Sequence, residues 1–292
     1  ATGRPIRPRY TTGLVQALDN IFCAIINSMD LSFTLPNKKE VVVKEILYKD
    51  LRKMALYNDS SRSNIIKFLE SFIVTKGLNV VEKLFTLFIL REKCIGEQVA
   101  VGSKKGNVNI DLQLFRKNIG SFDDIRQEID VEGIKCVLNY PSRFYVGDTD
   151  FIFSLIESLE IDNEKIILSS LSEEDYTNVV GRLPDTIFNY IEKFVKSNAP
   201  HFSMIVYNGK ESMEIDEIKL NMLDGSLAAF IVKLFDCIGD TDYREMLFVL
   251  SKRIPDVLFL TNCTYLELFD YYKLYQDEVE KQNQDLQNQS AS

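Results

Sequence analysis

The chain has 292 residues, 46% of them hydrophobic, which is enough apolar material for a real core and excludes disorder through most of its length. Thirty-four basic against 43 acidic residues give a net charge of −9, which argues against a general nucleic-acid-coating role because that needs a broad positive surface. Five cysteines (Cys23, Cys94, Cys136, Cys237 and Cys263), odd in number and without a CxxC pair, read as reduced thiols and exclude a scaffold held by disulfides.

In chain order, residues 1–12 carry Arg4, Arg7 and Arg9 with two prolines and read as an extended basic arm. The opening ten residues hold no hydrophobic block, so no secretory signal is expected, and no stretch approaches the 18 apolar residues of a bilayer span. Residues 13–95 form an N-terminal helical region with a short β-hairpin. Leu14, Leu18, Ile21, Phe22, Ile25 and Met29 make one helical stripe, and residues 31–35 then alternate as a half-buried strand. Pro36 and Asn37 turn the chain into a β-branched run over 40–46. The spacing of Ile66, Leu69, Phe72 and Ile73 predicts a helix over 63–74, ended by Gly77. Residues 79–93 are apolar nearly all round, as in a central helix packed on several sides, with Arg91 and Glu92 standing out at its end.

Residues 96–146 read as a small, mainly β insert: a hairpin around 102–106 and a strand over 134–138. Residues 147–280 read as a C-terminal helical region, opening with a helix over 151–159. Ser172 caps a further helix and Pro184 starts another. Residues 202–215 form a hairpin around Asn208 and Gly209, and helices are expected at 223–238, 243–250 and from near Thr261 onward. Residues 281–292 are polar, low in variety and expected to be disordered. The fold class is therefore α+β, predominantly helical with small β-hairpin inserts.

Catalytic constellations are scarce. His201 is the only histidine, which excludes sites built on paired imidazoles. Residues 102–106 (GSKKG) hold glycine and lysine without the order or spacing of a phosphate loop. The acids at Asp148 and Asp150, at Glu173 to Asp175 and at Asp240 and Asp242 lack the span of a calcium loop, and placement at helix N-termini accounts for them. No catalytic residue, metal ligand or cofactor is assigned; the chain reads as non-enzymatic. An aspartate-based, metal-dependent hydrolase stays open as an alternative, as does a nucleic-acid-binding accessory using the arm and the lysines between Lys38 and Lys53. Aromatics carry more information. Tyr265, Tyr271, Tyr272 and Tyr275 bunch on the final helix, with Phe269 grouped beside Leu268, and spread wider than one core stripe requires. Tyrosine combines apolar area with a polar tip, so these four and the three arginines of the arm are the candidate partner-binding residues.

A larger pattern runs through the chain. Residues 45–56 (EILYKDLRKMAL), 77–96 (GLNVVEKLFTLFILREKCIG), 108–112 (VNIDL) and 133–141 (GIKCVLNYP) follow one another in order. This order resembles the baseplate protein family of T-even-type contractile phages over about residues 31–240. The family's helix-end signature falls on Leu84, Phe85, Phe88, Ile89, Leu90, Arg91, Glu92 and Gly96. The resemblance implies a structural component or assembly factor of the tail baseplate, especially its hub, with other tail proteins as partners. It also implies a place in the host cytoplasm during assembly or in the virion tail, and leaves room for an oligomer within the baseplate. Arg91, Glu92 and Gly96 are read as structural: at the end of the most buried helix, Arg91 and Glu92 either pair internally to fix the junction with the β insert, the favoured reading, or present charge to a neighbour. The cysteine pairs that some relatives carry in their β segments are lacking here, so no zinc site is expected.

Overall fold

The computed structural model describes residues 30–54, 62–103, 106–113, 125–145, 149–198, 201–208, 212–219, 226–235 and 241–290. The basic arm with Arg4, Arg7 and Arg9, the helical stripe over 14–29, Cys23 and Cys237 lie outside them.

β1 (Asp30–Thr34) and β2 (Glu40–Lys44) form an antiparallel hairpin as their alternation predicts. α1 (Tyr48–Met54) follows, then α2 (Arg62–Glu70). α2 ends before the expected 74. Ile73 leaves the helix to bridge Val43, Lys44 N donates to the Phe72 carbonyl, and Val74 N donates to the Val42 carbonyl. The backbone groups of 72–74 find partners on the β2 edge, so sheet pairing outcompetes another turn of helix. Gly77 consequently sits in the approach to the next helix, with φ +71°, and does not cap α2.

α3 (Val80–Cys94) is the axis of the molecule: Val80, Val81, Leu84, Leu87, Phe88 and Leu90 are all buried, on every side of the helix. Its start is fixed by a capping box. The Asn79 side chain accepts from Val81 N and Glu82 N, while Glu82 accepts from Asn79 N at 2.8 Å. The buried Glu82 also accepts from Asn37 at 2.8 Å and pairs with Lys39 at 3.2 Å, tying the β1–β2 turn to the helix start.

Beyond α3, β3 (Gln98–Ser103) and β4 (Gly106–Asp111) make the expected hairpin. β5 (Gln127–Val131), β6 (Ile134–Leu138), β7 (Ile156–Ile161) and β8 (Glu164–Ile166) form a four-stranded antiparallel sheet in sequence order. Two of its turns place both central residues at positive φ: Glu132 and Gly133 (55° and 85°), and Asp162 and Asn163 (53° and 65°), the twist that suits a two-residue hairpin. One row across the sheet alternates in charge, Asp130 opposite Lys135, Lys135 opposite Glu160 and Glu160 opposite Lys165.

The helix predicted over 151–159 is corrected here. The chain makes a 3-10 helix from Thr149–Leu155 and then enters β7. A register shift pairs Leu138 with Ile156 but Val137 with Ser158, so Glu157 is an extra residue in the strand. Ile156 and Leu159 therefore share the core face at a spacing of three, which imitates helical periodicity in the sequence. The sheet thus runs past residue 146 to Ile166, into the stretch read as helical.

α4 (Glu173–Val180) starts at the predicted Ser172 cap, whose hydroxyl accepts from Asp175 N. α5 (Thr186–Asn198) buries Ile187, Ile191, Phe194 and Val195, while Tyr190 is exposed. β9 (His201–Asn208) and β10 (Ser212–Lys219) form the second expected hairpin, with His201 at the start of its strand. α6 (Ser226–Phe235) returns to the core beside α2 and α3, its Phe230 ring edge-on to Phe88 at 6.2 Å. The mixed α and β, predominantly helical class predicted from the sequence holds.

α7 (Thr241–Arg253), α8 (Val257–Asn262) and α9 (Tyr265–Ser290) complete the described chain. α9 continues as helix well into the stretch expected to be disordered, although residues 280–288 are all exposed. Among the described residues, no helix is long and apolar enough to cross a membrane.

Candidate interaction surface

The three last helices build a second, smaller core. Met246 and Leu250 of α7, Leu260 of α8 and Leu268 of α9 bury one another around Tyr48 and Cys263. Two hydrogen bonds lock this layer to the body: Tyr48 N donates to the Cys263 carbonyl at 2.8 Å, and Lys49 Nζ donates to Asn262 Oδ1 at 2.6 Å. α8 is capped by Asp256, which accepts from Phe259 N, and Thr264 with Glu267 closes the start of α9 by mutual hydrogen bonds.

The four predicted tyrosines all fall in this layer and all are half-buried. Tyr265 packs against both cores. Tyr271 lies 6.0 Å from the Phe259 ring, and burial raises its hydroxyl above the ordinary tyrosine range. Tyr272 borders the small core, and Tyr275 lies under the Arg253 guanidinium at 5.5 Å. Phe269 does not share the inward face of Leu268: it turns outward beneath Lys273, 4.6 Å from the ring centre. Extending the helical register from Leu268 rather than from Tyr265 would have shown this.

What the sequence did not single out is the apolar surface around the tyrosines. Phe248 on α7 is 61% exposed and Leu258 on α8 is 75% exposed, with Val257, Leu266, Leu274 and Leu286 also open to solvent. Large apolar side chains left open to solvent on three successive helices are candidates for contact with another protein. Lys252 rides over Phe248 at 4.3 Å, so cation and ring are presented together.

Arg91, Glu92 and Gly96 sit far from this layer in sequence and serve a junction. Arg91 is 6% exposed; its Nε donates to the Leu234 carbonyl of α6 at 2.6 Å and its Nη2 to the Gln98 carbonyl at 3.1 Å. A third donor, Nη1, reaches the Gly96 carbonyl. The guanidinium fork thus joins the end of α3, the entry to β3 and the end of α6, while Glu92 beside it is half-buried. Gly96 has φ +124°, which admits glycine at little cost.

A groove of about 770 Å³ opens between the start of α3 and the four-stranded sheet, lined in part by Lys39, Glu82, Asn139, Arg143, Glu157 and Tyr176. Within it Lys39 pairs with Glu82 and Asn139 donates to Glu157, which also pairs with Arg126 at its edge, while Arg143 lies over the Phe151 ring. Among the described residues, no group of three His, Cys, Asp or Glu side chains is placed to hold a metal ion. Of the acids weighed in the sequence, Asp148 and Asp240 lie outside the described residues. The thiols of Cys94, Cys136 and Cys263 are buried, and desolvation pushes them up to about 12, 11 and 12, where they are poor nucleophiles at neutral pH.

No curated protein and no solved structure matches this chain. The sequence model of the family described as T4 bacteriophage base plate protein matches residues 28–223, from β1 through the second hairpin, and stops short of α6 and the three-helix layer. With well over half of its length matched, the chain belongs to the T4 bacteriophage base plate protein family.

Proposed function

We propose that the chain is a non-enzymatic component or assembly factor of the phage tail baseplate, working at the hub through contacts with other tail proteins in the host cytoplasm. The observation that carries this reading is the family match over residues 28–223. Two features support it. Lys39 pairs with Glu82 and Asn139 with Glu157 across the large groove, and most of the outward apolar residues lie on the three C-terminal helices. The matched body supplies a frame, and the layer beyond the match presents the outward apolar residues. In this reading Tyr265, Tyr271, Tyr272 and Tyr275 back that surface, and Arg4, Arg7 and Arg9 reach an acidic neighbour. Arg91, Glu92 and Gly96 are structural.

Co-expression with each of the virus's tail proteins, followed by purification and gel filtration, tests the proposal. Stable co-elution with at least one baseplate protein, reduced by Leu258→Glu, is expected. Independent elution from every tail protein would contradict it.

A further inference from the structure

We infer that the free end of α9 is a pairing helix, and that its occupant is a second copy of the same helix lying parallel to it. Along α9, Leu268, Tyr272, Tyr275, Val279, Gln282 and Leu286 recur at alternating spacings of four and three, the a and d pattern of a two-helix seam. The first half of this seam is used within the molecule. Leu268 is fully buried, Tyr272 borders the small core, and Arg253 at the end of α7 covers Tyr275 and pairs with Glu278 at 3.6 Å. α7 ends there. The seam continues onto Val279, Gln282 and Leu286, and Leu286 is 64% exposed.

The helix beyond Glu278 lacks an internal reason to persist. It contains Asn283, Asp285 and Asn288, all weak helix formers, and has no basic residue in its last turn to complement the dipole. A helical stretch of about 12 residues is marginal alone in water, and packing of an apolar face is what ordinarily holds one.

The flanking chemistry selects the occupant. In a parallel pair the g position of one helix faces the e position of the next heptad on the other, which sets Glu278 against Asn283 of the second copy, a carboxylate acceptor against an amide donor. An antiparallel pair faces g flank to g flank, and both g residues, Glu278 and Asp285, are acids. Gln282 at the d position donates to Glu278 of its own helix at 3.2 Å, and the second amide hydrogen and the amide oxygen remain to meet its own copy, donor and acceptor together. Pairing begins at Glu278, where α7 ends at Arg253. The inference does not depend on the baseplate reading.

The test uses the full chain. Sedimentation across a concentration series should show reversible self-association, weakened about tenfold or more by Leu286→Glu. Under mild oxidation Gln282→Cys should cross-link two chains, whereas Asn288→Cys, on the opposite side of the helix, should not. All three positions are exposed, so folding is not at stake. A monomer at every concentration would overturn the inference, as would self-association indifferent to Leu286→Glu or equal cross-linking from both cysteines.

Discussion

The Arg91 guanidinium donates to the Leu234 carbonyl across 143 positions of sequence, and this 2.6 Å hydrogen bond fixes the end of the central helix to the end of α6. Leu234 lies outside the family match and Arg91 inside it, so the bond couples the matched region to the chain beyond it. Arg91→Ala leaves the buried Leu234 carbonyl and the part-buried Gln98 carbonyl without this donor and should cost about 2–4 kcal/mol. Arg91→Lys restores charge but not the planar fork and should recover only part of the loss. Urea unfolding of the three proteins checks this.

Gly96 accepts from that same side chain at φ +124°. Its Cβ position is open, the nearest atom being Arg91 Nη1 at 3.9 Å, so Gly96→Ala isolates backbone strain. A loss of about 1–2 kcal/mol is expected, visible as a lower midpoint with an unchanged denaturant slope.

Glu82 joins the helix start to the β1–β2 turn through Asn79, Asn37 and Lys39. Glu82→Ala should lower stability by about 1–3 kcal/mol and free the hairpin first. Amide exchange at the paired residues Phe33 and Val41, accelerated beyond that of the α3 core, would report it.

Buried thiols and one phenol make stability fall at high pH. Cys94 and Cys263 rise from 9.0 to about 12, and Tyr140 from 10.0 to about 12, each by desolvation. Below pH 9 these groups are protonated in both folded and unfolded chains, and their contribution is full. Between about 9 and 12 the unfolded chain releases protons that the folded chain retains, so stability declines with rising pH. Thermal midpoints measured from pH 7 to 11 should turn downward above 9. At pH 7.5 peptide mapping after alkylation should find Cys94, Cys136 and Cys263 unmodified until denaturant is added.

Much of the frame was legible because its signals are local. The all-round apolar run of α3, the two glycine-bearing hairpins and the Ser172 cap each specify their element within a few residues. The misreadings arise where a distant partner decides. Ile73 looks helical by spacing until the β2 edge takes its backbone, and Ile156 with Leu159 looks helical because Glu157 bulges out of β7. Arg91 was visible as an oddity at a buried helix end, but its partner on α6 was not, since no spacing rule links residues so far apart. On the three C-terminal helices the tyrosines drew notice while Leu258 and Phe248 did not; outward exposure of an apolar residue is set by tertiary packing and carries no periodic mark.

The central claim, a protein that acts by fitting other tail subunits, is tested most directly by the protein composition of intact particles and of tail-assembly intermediates from infected cells. The account predicts this chain in baseplate intermediates, and either retained in or released from the finished tail. Its absence from every intermediate and from the particle would contradict it.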